Sequence, residues 1–403
     1  MQELRFLPTI MASLCIRMVF TFFKVFYPVQ KDRVTFASYR SNVLKDNLKA
    51  VYEEWKNQKE DVQAVFLLKP YRSGWLGKWD YLFHMLRACY YLATSRYFVI
   101  DDFYFPVYVV TPRKGTDIVQ LWHAAGAFKK FGYSTVNKSF GPSEAYLKHV
   151  KVHSNYSFVM VSCQEIVPFY AEAFNMSPNR IFPLGVPRTD YFYNQQALSK
   201  LKQSFYKAYP NLIAKRLILF APTFRGGSHD QGVFDCPMDL NQMKDQLGDR
   251  YALLIHLHPY MRKGMRLPDN TEGFVYMMDG GYNIEELLSL TDILITDYSS
   301  IIFDYSLREK PMAFFAQDLD DYEEERGFYF DYRSFIPGPL FQNTDKLVEW
   351  IQSDAFNIEQ VKAFKERFFD YTDGHASRRI VRFLLEEAAS QRDLRRLRYD
   401  STS

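Results

Sequence analysis

The stretch ILITDYSSIIFDYSLREKPMAFF, residues 293–315, decides how this chain is predicted to fold. An apolar run that suits a buried strand leads directly into Asp297, Ser299 and Ser300, and a helical pattern follows before a second apolar run. This order is typical of a parallel sheet, whose ligands bind beyond the carboxyl ends of the strands. The hydroxyls of Ser299 and Ser300 are therefore predicted to cap the helix or to bind a phosphate, with Asp304 one turn further on.

The same alternation of strand-like and helical patterns extends along most of the chain, with ten apolar runs of strand length. It predicts two α/β domains, each with a parallel sheet covered by helices on both faces. A polar, strandless stretch near residue 200 indicates the junction. The predicted organisation is an amphipathic, membrane-associating segment at 1–33, an N-terminal Rossmann-like domain at 34–200, a C-terminal Rossmann-like domain at 201–345 and C-terminal helices at 346–403.

Two further strands of the second domain also end in polar residues. LILFAPTFRGG places Thr223 and Arg225 after a buried strand and before two glycines, which allow a ligand to approach the backbone closely. HLHPY places His258 at the end of the next strand, because Pro259 cannot continue it. Arginine suits bidentate contacts with phosphate, so these strand ends together predict a phosphate-binding edge.

The first domain ends one of its strands differently, in DIVQLWHAAGAFKKFGYST. His123 closes the apolar run, and a histidine, with an ordinary pKa near 6.5, suits the role of general base. Lys129 follows shortly after and is placed to neutralise charge on a phosphoryl group. No set of metal-ligating residues stands at a strand end, so we expect basic residues and helix ends to replace a metal, and we expect no cofactor.

The formal net charge of +3 is concentrated at the ends of the chain, since residues 1–33 and residues 378–400 each carry a net charge of +3. This distribution argues against nucleic-acid binding along the body and favours an anionic partner near the termini. Arg17 and Lys24 share one face of an aromatic-rich helical segment, and with Pro8 they interrupt its apolar run. We therefore expect a helix lying on an anionic membrane surface rather than one crossing the bilayer.

Together these motifs resemble a known family. The block at 291–315, WHAAGAFKKFGYS, FAPTFRG, HLHPY and DGHASRRI (373–380) occur in the order and spacing of the CDP-glycerol glycerophosphotransferases of teichoic acid synthesis, the TagF/TagB type, over roughly residues 35–385. The resemblance implies a GT-B fold, in which two Rossmann-like domains have a cleft between them and the second binds the nucleotide. It also implies that glycerol phosphate moves from CDP-glycerol to an undecaprenyl-diphosphate-linked ManNAc-GlcNAc disaccharide, with release of CMP. The expected location is the cytoplasmic face of the cell membrane, as a peripheral (monotopic) enzyme.

By matching positions, the resemblance implies a role for each candidate residue. His123 would be the base or the group that orients the acceptor, and Arg379 would reach the phosphates from the last helices. Whether His123 or His258 takes the proton stays open. The residues implied to hold the diphosphate and the leaving CMP are Thr223, Arg225, His258, Ser299, Ser300 and Asp304.

One departure from the family pattern bears on the product. WHAAGAFKKFG stands where many polymerising members read WHGTPLK, and it is similar to the TagB primase subgroup, which adds the first glycerol phosphate. A second departure is Asn283, where the family often has Asp; Asn still serves as an N-cap, with Glu286 completing a capping box. We expect a single-addition enzyme, which other teichoic acid enzymes would accompany.

Three other interpretations remain open at this point. The first is a short glycerol-phosphate polymerase or a ribitol-phosphate transferase. The second is a non-catalytic protein that binds nucleotide and lipid and recruits other wall enzymes. The third is a GT-B sugar transferase that uses a nucleotide sugar, which the fold alone permits.

Overall fold

A computed structural model of the chain describes residues 4–70, 74–138, 140–223, 234–257, 261, 264–278 and 280–387. Contacts divide it into two compact units. The first unit comprises residues 1–124, 131–190 and 370–403, and the second comprises residues 125–130 and 191–369. Each is built on a six-stranded parallel sheet.

The strands and helices alternate along most of the chain, as the sequence patterns predict. The strands are β1 Gln30–Ser38, β2 Gln63–Leu68, β3 Ser95–Ile100, β4 Asp117–Gln120, β5 Phe158–Met160, β6 Ile181–Phe182, β7 Arg216–Phe220, β8 Tyr251–Ile255, β9 Val275–Met277, β10 Ile293–Thr296, β11 Met312–Phe315 and β12 Leu340–Phe341. The helices are α1 Leu7–Phe26, α2 Asp46–Gln58, α3 Trp75–Thr94, α4 Phe105–Val109, α5 Glu144–Leu147, α6 Val167–Ala173, α7 Gln195–Ala208, α8 Leu240–Leu247, α9 Ile284–Leu290, α10 Ile301–Ser306, α11 Leu319–Arg326, α12 Tyr332–Phe335, α13 Thr344–Ser353, α14 Ile358–Phe368 and α15 Ala376–Arg382.

All ten predicted strands are present, as β1 to β5 and β7 to β11. The two that the sequence analysis missed, β6 and β12, have only two residues each, which is too short to show a periodic pattern. The capping box predicted at Asn283 is confirmed, because its side chain accepts from the Glu286 N–H and the Glu286 carboxylate accepts from the Asn283 N–H, both at 2.8 Å.

The first unit has the strand order β2-β1-β3-β4-β5-β6. Its central strands β3, β4 and β5 are almost entirely buried, and Val99 and Val119 share a core cluster with Trp55 of α2 and Ile380 of α15. The order along the chain reverses between β1 and β3, so their carboxyl ends mark the switch point of this sheet, where open α/β sheets bind ligands.

The C-terminal helix α15 belongs to the first unit rather than to a separate C-terminal region. The carboxylate of Asp190 accepts hydrogen bonds from the backbone N–H groups of Ala376 and Ser377, each at 2.8 Å. A carboxylate at these amides satisfies donors that the helix itself leaves unpaired. The contact division also places the junction between 190 and 191, ten residues before the predicted one.

Helix α1 is continuous over 20 residues and buries Ser13, Ile16 and Phe20. By length and composition alone this helix is able to cross a membrane. The sequence analysis expected the charges at positions 17 and 24 to exclude a membrane span, and by this criterion they do not. In this structure, however, its inner side packs on the first unit. The Phe23 ring lies 5.2 Å from the Tyr90 ring of α3.

The second unit has the strand order β12-β11-β10-β7-β8-β9. Counted from β7, this is the order 3-2-1-4-5-6 of a Rossmann sheet, and its switch point lies between β7 and β10. The central strands are fully buried, as Leu219, Leu254 and Ile295 show.

Residues 125–130 pack into the second unit, although the sequence analysis placed them in the first domain. The Phe128 ring lies 4.9 Å from the rings of Phe328 and Phe335. The backbone is held as well, since the Lys130 N–H donates to the Gly327 carbonyl at 3.1 Å. This short segment is therefore an integral part of the second unit's core.

Gly126 of this segment has no room for a side chain, because an added Cβ would lie 2.3 Å from the ring of Phe303. We expect Gly126→Ala to destabilise the second unit by about 1–3 kcal/mol through overpacking. Thermal unfolding of the purified variant measures the effect. In a Phe303→Leu background the penalty should shrink, because the smaller side chain vacates the space. An equal penalty in both backgrounds would contradict the predicted clash.

Candidate active site

The switch point of the second unit is held together by Asp297, which follows β10. Its carboxylate oxygens accept hydrogen bonds from the backbone N–H of Thr223, at 2.8 and 3.0 Å. Asp297 is buried, and its Oδ1 also accepts from the N–H of Tyr298 at 2.6 Å. The segments that leave β7 and β10 are therefore tied together at the edge where the sequence predicted a phosphate site.

The two serines after β10 do not form the predicted side-chain cap. Ser300 occupies the N-cap position of α10, but its side chain makes no capping hydrogen bond. The Ser299 Oγ accepts from the Ile301 N–H at 3.4 Å, which is long for a cap. Asp304 lies within α10 and is buried. The structure thus brings Thr223, Ser299 and Ser300 to one edge of the second sheet.

Lys129 reaches the same edge of the second unit. Its Nζ donates to the Tyr322 hydroxyl at 3.3 Å. The Tyr322 ring stacks on that of Tyr298, with centroids 3.9 Å apart, and Tyr298 directly follows Asp297. The burial of Phe128 thus determines where this lysine lies, and the lysine adds a cation beside the strand ends.

Two predicted residues of this edge, Arg225 and His258, lie outside the described residues. The neighbouring histidine, His256, follows β8, and its Nδ1 donates to the Met278 carbonyl at 3.1 Å. Among the residues that the structure describes, no group of three or more His, Cys, Asp or Glu side chains is placed to hold a metal ion.

Beside the switch point of the first unit, His123, which follows β4, pairs with a carboxylate at the end of β3 that the sequence analysis did not single out. Its Nδ1 lies 3.0 Å from Oδ2 of Asp102, and Arg40 Nε lies 3.5 Å from the same oxygen. Burial alone would raise the pKa of Asp102, but the nearby His123 and Arg40 and the N–H of Phe103 outweigh it and lower the pKa. A charged carboxylate at Nδ1 directs the other imidazole nitrogen, Nε2, towards proton transfer.

The backbone before His123 is held in an unusual conformation. Trp122 has a φ of 55°, which is uncommon for a residue with a large side chain. Its N–H donates to Gln120 Oε1 and its carbonyl accepts from Asn47 Nδ2, both at 2.8 Å. Gln120 Nε2 also donates to the Asp102 carbonyl at 3.1 Å. One amide side chain therefore fixes the positions of both members of the pair.

Asp101, beside this pair, is a second buried carboxyl group. Burial and the neighbouring charge of Asp102 raise the pKa of Asp101 to about 7, although Ser38 and Arg40 oppose the shift. The edge of the first sheet therefore combines a carboxyl group that holds a proton up to neutral pH with one that stays ionised.

Arg379 has partners within the first unit. Its Nη1 donates to both carboxylate oxygens of Asp373, at 2.8 and 2.7 Å, and its Nε donates to the Leu184 carbonyl at 3.1 Å. The guanidinium also lies 4.0 Å from the centre of the Tyr371 ring. The DGHASRRI motif therefore has a structural function in holding the C-terminal segment on this unit.

A family model described as CDP-Glycerol:Poly(glycerophosphate) glycerophosphotransferase matches residues 19–386. The chain belongs to this family. The match includes every predicted site residue, and the family resemblance drawn from the motifs is confirmed.

Individual relatives differ in the alditol phosphate that their names carry. The teichoic acid ribitol-phosphate primase of Bacillus spizizenii is 46% identical over 359 residues, which cover 89% of this chain and 92% of that protein. The teichoic acid glycerol-phosphate primase of Bacillus subtilis is 29% identical over 349 residues, covering 84% and 88%. The solved structure of the wall teichoic acid polymerase TagF has a TM-score of 0.74 at 20% identity, covering 97% of this chain and 98% of that one, which supports the fold.

The titration of Asp101 makes a prediction about stability. Between about pH 4 and pH 7 the folded chain keeps a proton on Asp101 that the unfolded chain has released, so stability falls with rising pH, by about 1.4 kcal/mol per pH unit at most. Asp101→Asn resembles the protonated form, and we expect it to remove this slope. Urea unfolding of both proteins from pH 5 to pH 8 measures the difference.

An exposed aspartate, Asp269, provides the matched control. Asp269→Asn should leave the pH dependence of the free energy of unfolding unchanged. If the free energy of unfolding has the same pH dependence in the wild type and in Asp101→Asn, the pKa of Asp101 does not differ between the folded and unfolded chains, and the prediction is wrong.

Proposed function

We propose that this protein transfers one ribitol phosphate from CDP-ribitol to a lipid-linked acceptor in teichoic acid synthesis. The observation that carries the reaction class is the 3.0 Å contact between the buried Asp102 carboxylate and the partly exposed His123 imidazole, beside the switch point of the first sheet, in a chain of the glycerophosphotransferase family. The donor is argued from the comparisons, because identity to the ribitol-phosphate primase is 46% and identity to the glycerol-phosphate primase is 29%.

In the proposed step, an acceptor hydroxyl attacks the phosphorus that carries the alditol. The new bond joins the acceptor oxygen to this phosphorus, the bond from the phosphorus to the bridging oxygen breaks, and CMP leaves. His123 Nε2 takes the hydroxyl proton, and Asp102 stabilises the imidazolium that forms. Phosphoryl transfer depends chiefly on positioning and on stabilising charge, so the orientation of His123 by Gln120 and Asp102 is expected to matter as much as its basicity.

We assign the donor diphosphate to the edge of the second sheet. Lys129 supplies positive charge there, and Thr223, Ser299 and Ser300 supply hydroxyl groups. The roles of Arg225, His258 and Asp304 remain those that the family resemblance implies. Arg379 reaches a phosphate in this proposal only if its pairing with Asp373 is exchanged for the ligand.

Transfer of glycerol phosphate from CDP-glycerol to the undecaprenyl-diphosphate-linked disaccharide is the second candidate, and the description of the family model favours it. Both candidates include a two-domain enzyme of the GT-B type. Both also place the enzyme on the cytoplasmic face of the membrane, with α1 lying on an anionic lipid surface.

An assay with two donors and two acceptors separates the candidates. The protein is incubated with CDP-ribitol or CDP-glycerol and with a synthetic diphospholipid disaccharide, either bare or already carrying glycerol phosphate, and the product is weighed by mass spectrometry. One added ribitol phosphate supports the proposal. One added glycerol phosphate supports the second candidate, and a ladder of additions identifies a polymerase. Transfer from a nucleotide sugar alone would overturn both.

Variants of His123 and Asp102 test the proposed general base. We expect His123→Ala and Asp102→Asn each to lower kcat by roughly 10²–10⁴-fold, because the general base is lost or held in the wrong tautomer. Donor binding, measured by calorimetry, should be retained, because neither residue is assigned to the diphosphate. Full turnover in both variants would show that another group accepts the proton.

His149→Ala is the matched control, because this histidine lies in the same unit and packs against the Phe6 ring. It should leave kcat unchanged. Donor binding without turnover by the wild-type protein, with every donor and acceptor, would favour the non-catalytic interpretation.

A further inference from the structure

A network of buried hydrogen bonds extends from Gln120, the side chain that holds the candidate general base in place. Besides its bond to the Asp102 carbonyl, Gln120 Nε2 donates to the Tyr156 hydroxyl at 3.1 Å. The Tyr156 hydroxyl also lies 2.6 Å from the Tyr108 hydroxyl and 3.0 Å from His153 Nδ1. The side chains of Gln120, Tyr156, Tyr108 and His153 form this buried network, and because all four are buried, water does not compete for their hydrogen bonds.

The orientation of the Gln120 amide follows from what its backbone partners can do. The Trp122 N–H can only donate and the Asp102 carbonyl can only accept, so the amide oxygen faces Trp122 and the amide nitrogen faces Asp102. The second hydrogen of this nitrogen is then donated to Tyr156. The Tyr156 hydroxyl is therefore an acceptor at this end of the buried network.

The other end of the buried network fixes where the remaining protons lie. The Tyr108 hydroxyl accepts from the Tyr104 N–H at 3.3 Å. Among the described residues its one other hydrogen bond is with Tyr156, so Tyr108 donates its own proton there. Tyr156 then accepts two hydrogen bonds and donates its proton to His153 Nδ1. His153 carries its proton on Nε2, in the neutral form, because burial lowers the pKa of His153 to about 4.

The loop before β5 adopts an unusual backbone conformation that brings His153 beside Trp122. His153 and Asn155 have φ of 58° and 72°, and both residue types adopt this left-handed region more readily than most. Asn155 Nδ2 holds the loop by donating to the carbonyls of Val107 and Val110, at 2.7 and 2.8 Å. The His153 ring then lies 5.6 Å from the Trp122 ring. This loop therefore supports the left-handed residue that precedes the candidate base.

We propose that Tyr156 is a positioning residue, which fixes the orientation of His123 by holding the Gln120 amide, with its own proton directed at His153. Its hydroxyl is bound on three sides, so the amide cannot rotate away from the backbone groups on either side of the candidate base. The hydroxyl is buried and acts on the reaction only through these groups. Any effect on turnover rests on the proposed function, whereas the fixed orientation of the imidazole does not.

NMR spectroscopy of the protein with ¹⁵N-labelled histidine tests the buried network without any assay of activity. In the wild type we expect the proton of neutral His153 on Nε2 and that of neutral His123 on Nδ1, where it faces Asp102. In Tyr156→Phe we expect His123 to populate both tautomers, because the backbone beside it is held less firmly. The loss of one signal in each of His123→Ala and His153→Asn assigns the resonances.

Removal of the hydroxyl tests its effect on turnover. With the donor and acceptor on which the wild type is active, Tyr156→Phe should lower kcat on the order of 10–100-fold, because small misplacements of a reacting group have effects of this size. The Kd of the donor, measured by calorimetry, should not change. Tyr97→Phe is the matched control, because this buried tyrosine of the same unit also donates its hydroxyl proton, to the Leu384 carbonyl. It should lose stability and keep the wild-type kcat.

A double-mutant cycle tests whether Tyr156 acts through Gln120. Gln120→Met removes the amide while keeping the length of the side chain, and it should lower kcat by itself. Adding Tyr156→Phe to Gln120→Met should then lower kcat by less than about twofold further, because the group that transmits the effect is already absent. An equal reduction in both backgrounds would show that the tyrosine does not act through the amide, and would overturn the proposal.

The remaining outcomes separate this proposal from the proposed function. Wild-type kcat and a single His123 tautomer in Tyr156→Phe, with only stability reduced, would assign Tyr156 a structural role and overturn the positioning. A His153 proton on Nδ1 in the wild type, a measurement that needs no folded variant, would overturn it as well. Mixed His123 tautomers in Tyr156→Phe, in a protein whose wild type transfers nothing to any acceptor, would support the positioning and count against the proposed function alone.

Discussion

The candidate site depends on the reversal of strand order in each parallel sheet. At such a switch point, neighbouring strands are followed by segments that leave towards opposite faces, so a gap opens at their carboxyl ends. The polar groups that face a gap must be satisfied by side chains, because no adjacent strand covers them. Asp297 does this between β7 and β10 by accepting the Thr223 N–H, and in the first sheet Arg40, after β1, lies 3.5 Å from the carboxylate of Asp102, after β3. These contacts fix the positions of the neighbouring polar side chains of the candidate site.

Much of this arrangement follows from local sequence. The central strands are continuous apolar runs because they are buried on both faces, which is why ten of them were predicted with the correct type. The sequence also predicts which residues follow the end of a strand. As expected, four of these lie just beyond strand ends: His123, Thr223, Ser299 and Ser300. Two strands of two residues each carry no such signal and were missed.

The partners of these residues were harder to predict, because they depend on which strands lie side by side. Asp297 and Thr223 are 74 residues apart and meet only because β10 pairs with β7. Asp102 ends the apolar run YFVIDD, which is the same signal that pointed to Asp297, but its pairing with His123 requires β3 to lie beside β4. Residues 125–130 show the same limit, because the aromatic residues around Phe128 lie some 200 positions later, as Phe328 and Phe335.

Two features that reduce the stability of the folded chain lie at the carboxyl edge of the first sheet, and they support a function there. A left-handed conformation at Trp122 costs of the order of 1–3 kcal/mol, and the raised pKa of Asp101 is a further cost at neutral pH. An asparagine at position 101 would relieve the second cost, whereas a glycine at position 122 would relieve the first only with loss of the Trp122 ring contacts to Phe131, His153 and Phe174. The buried side-chain amides of Asn47 and Gln120 hold the Trp122 backbone in this conformation through hydrogen bonds. Strain, a buried carboxyl group and two buried amides around His123 together hold its imidazole in a fixed orientation, which the general base of the proposed reaction requires.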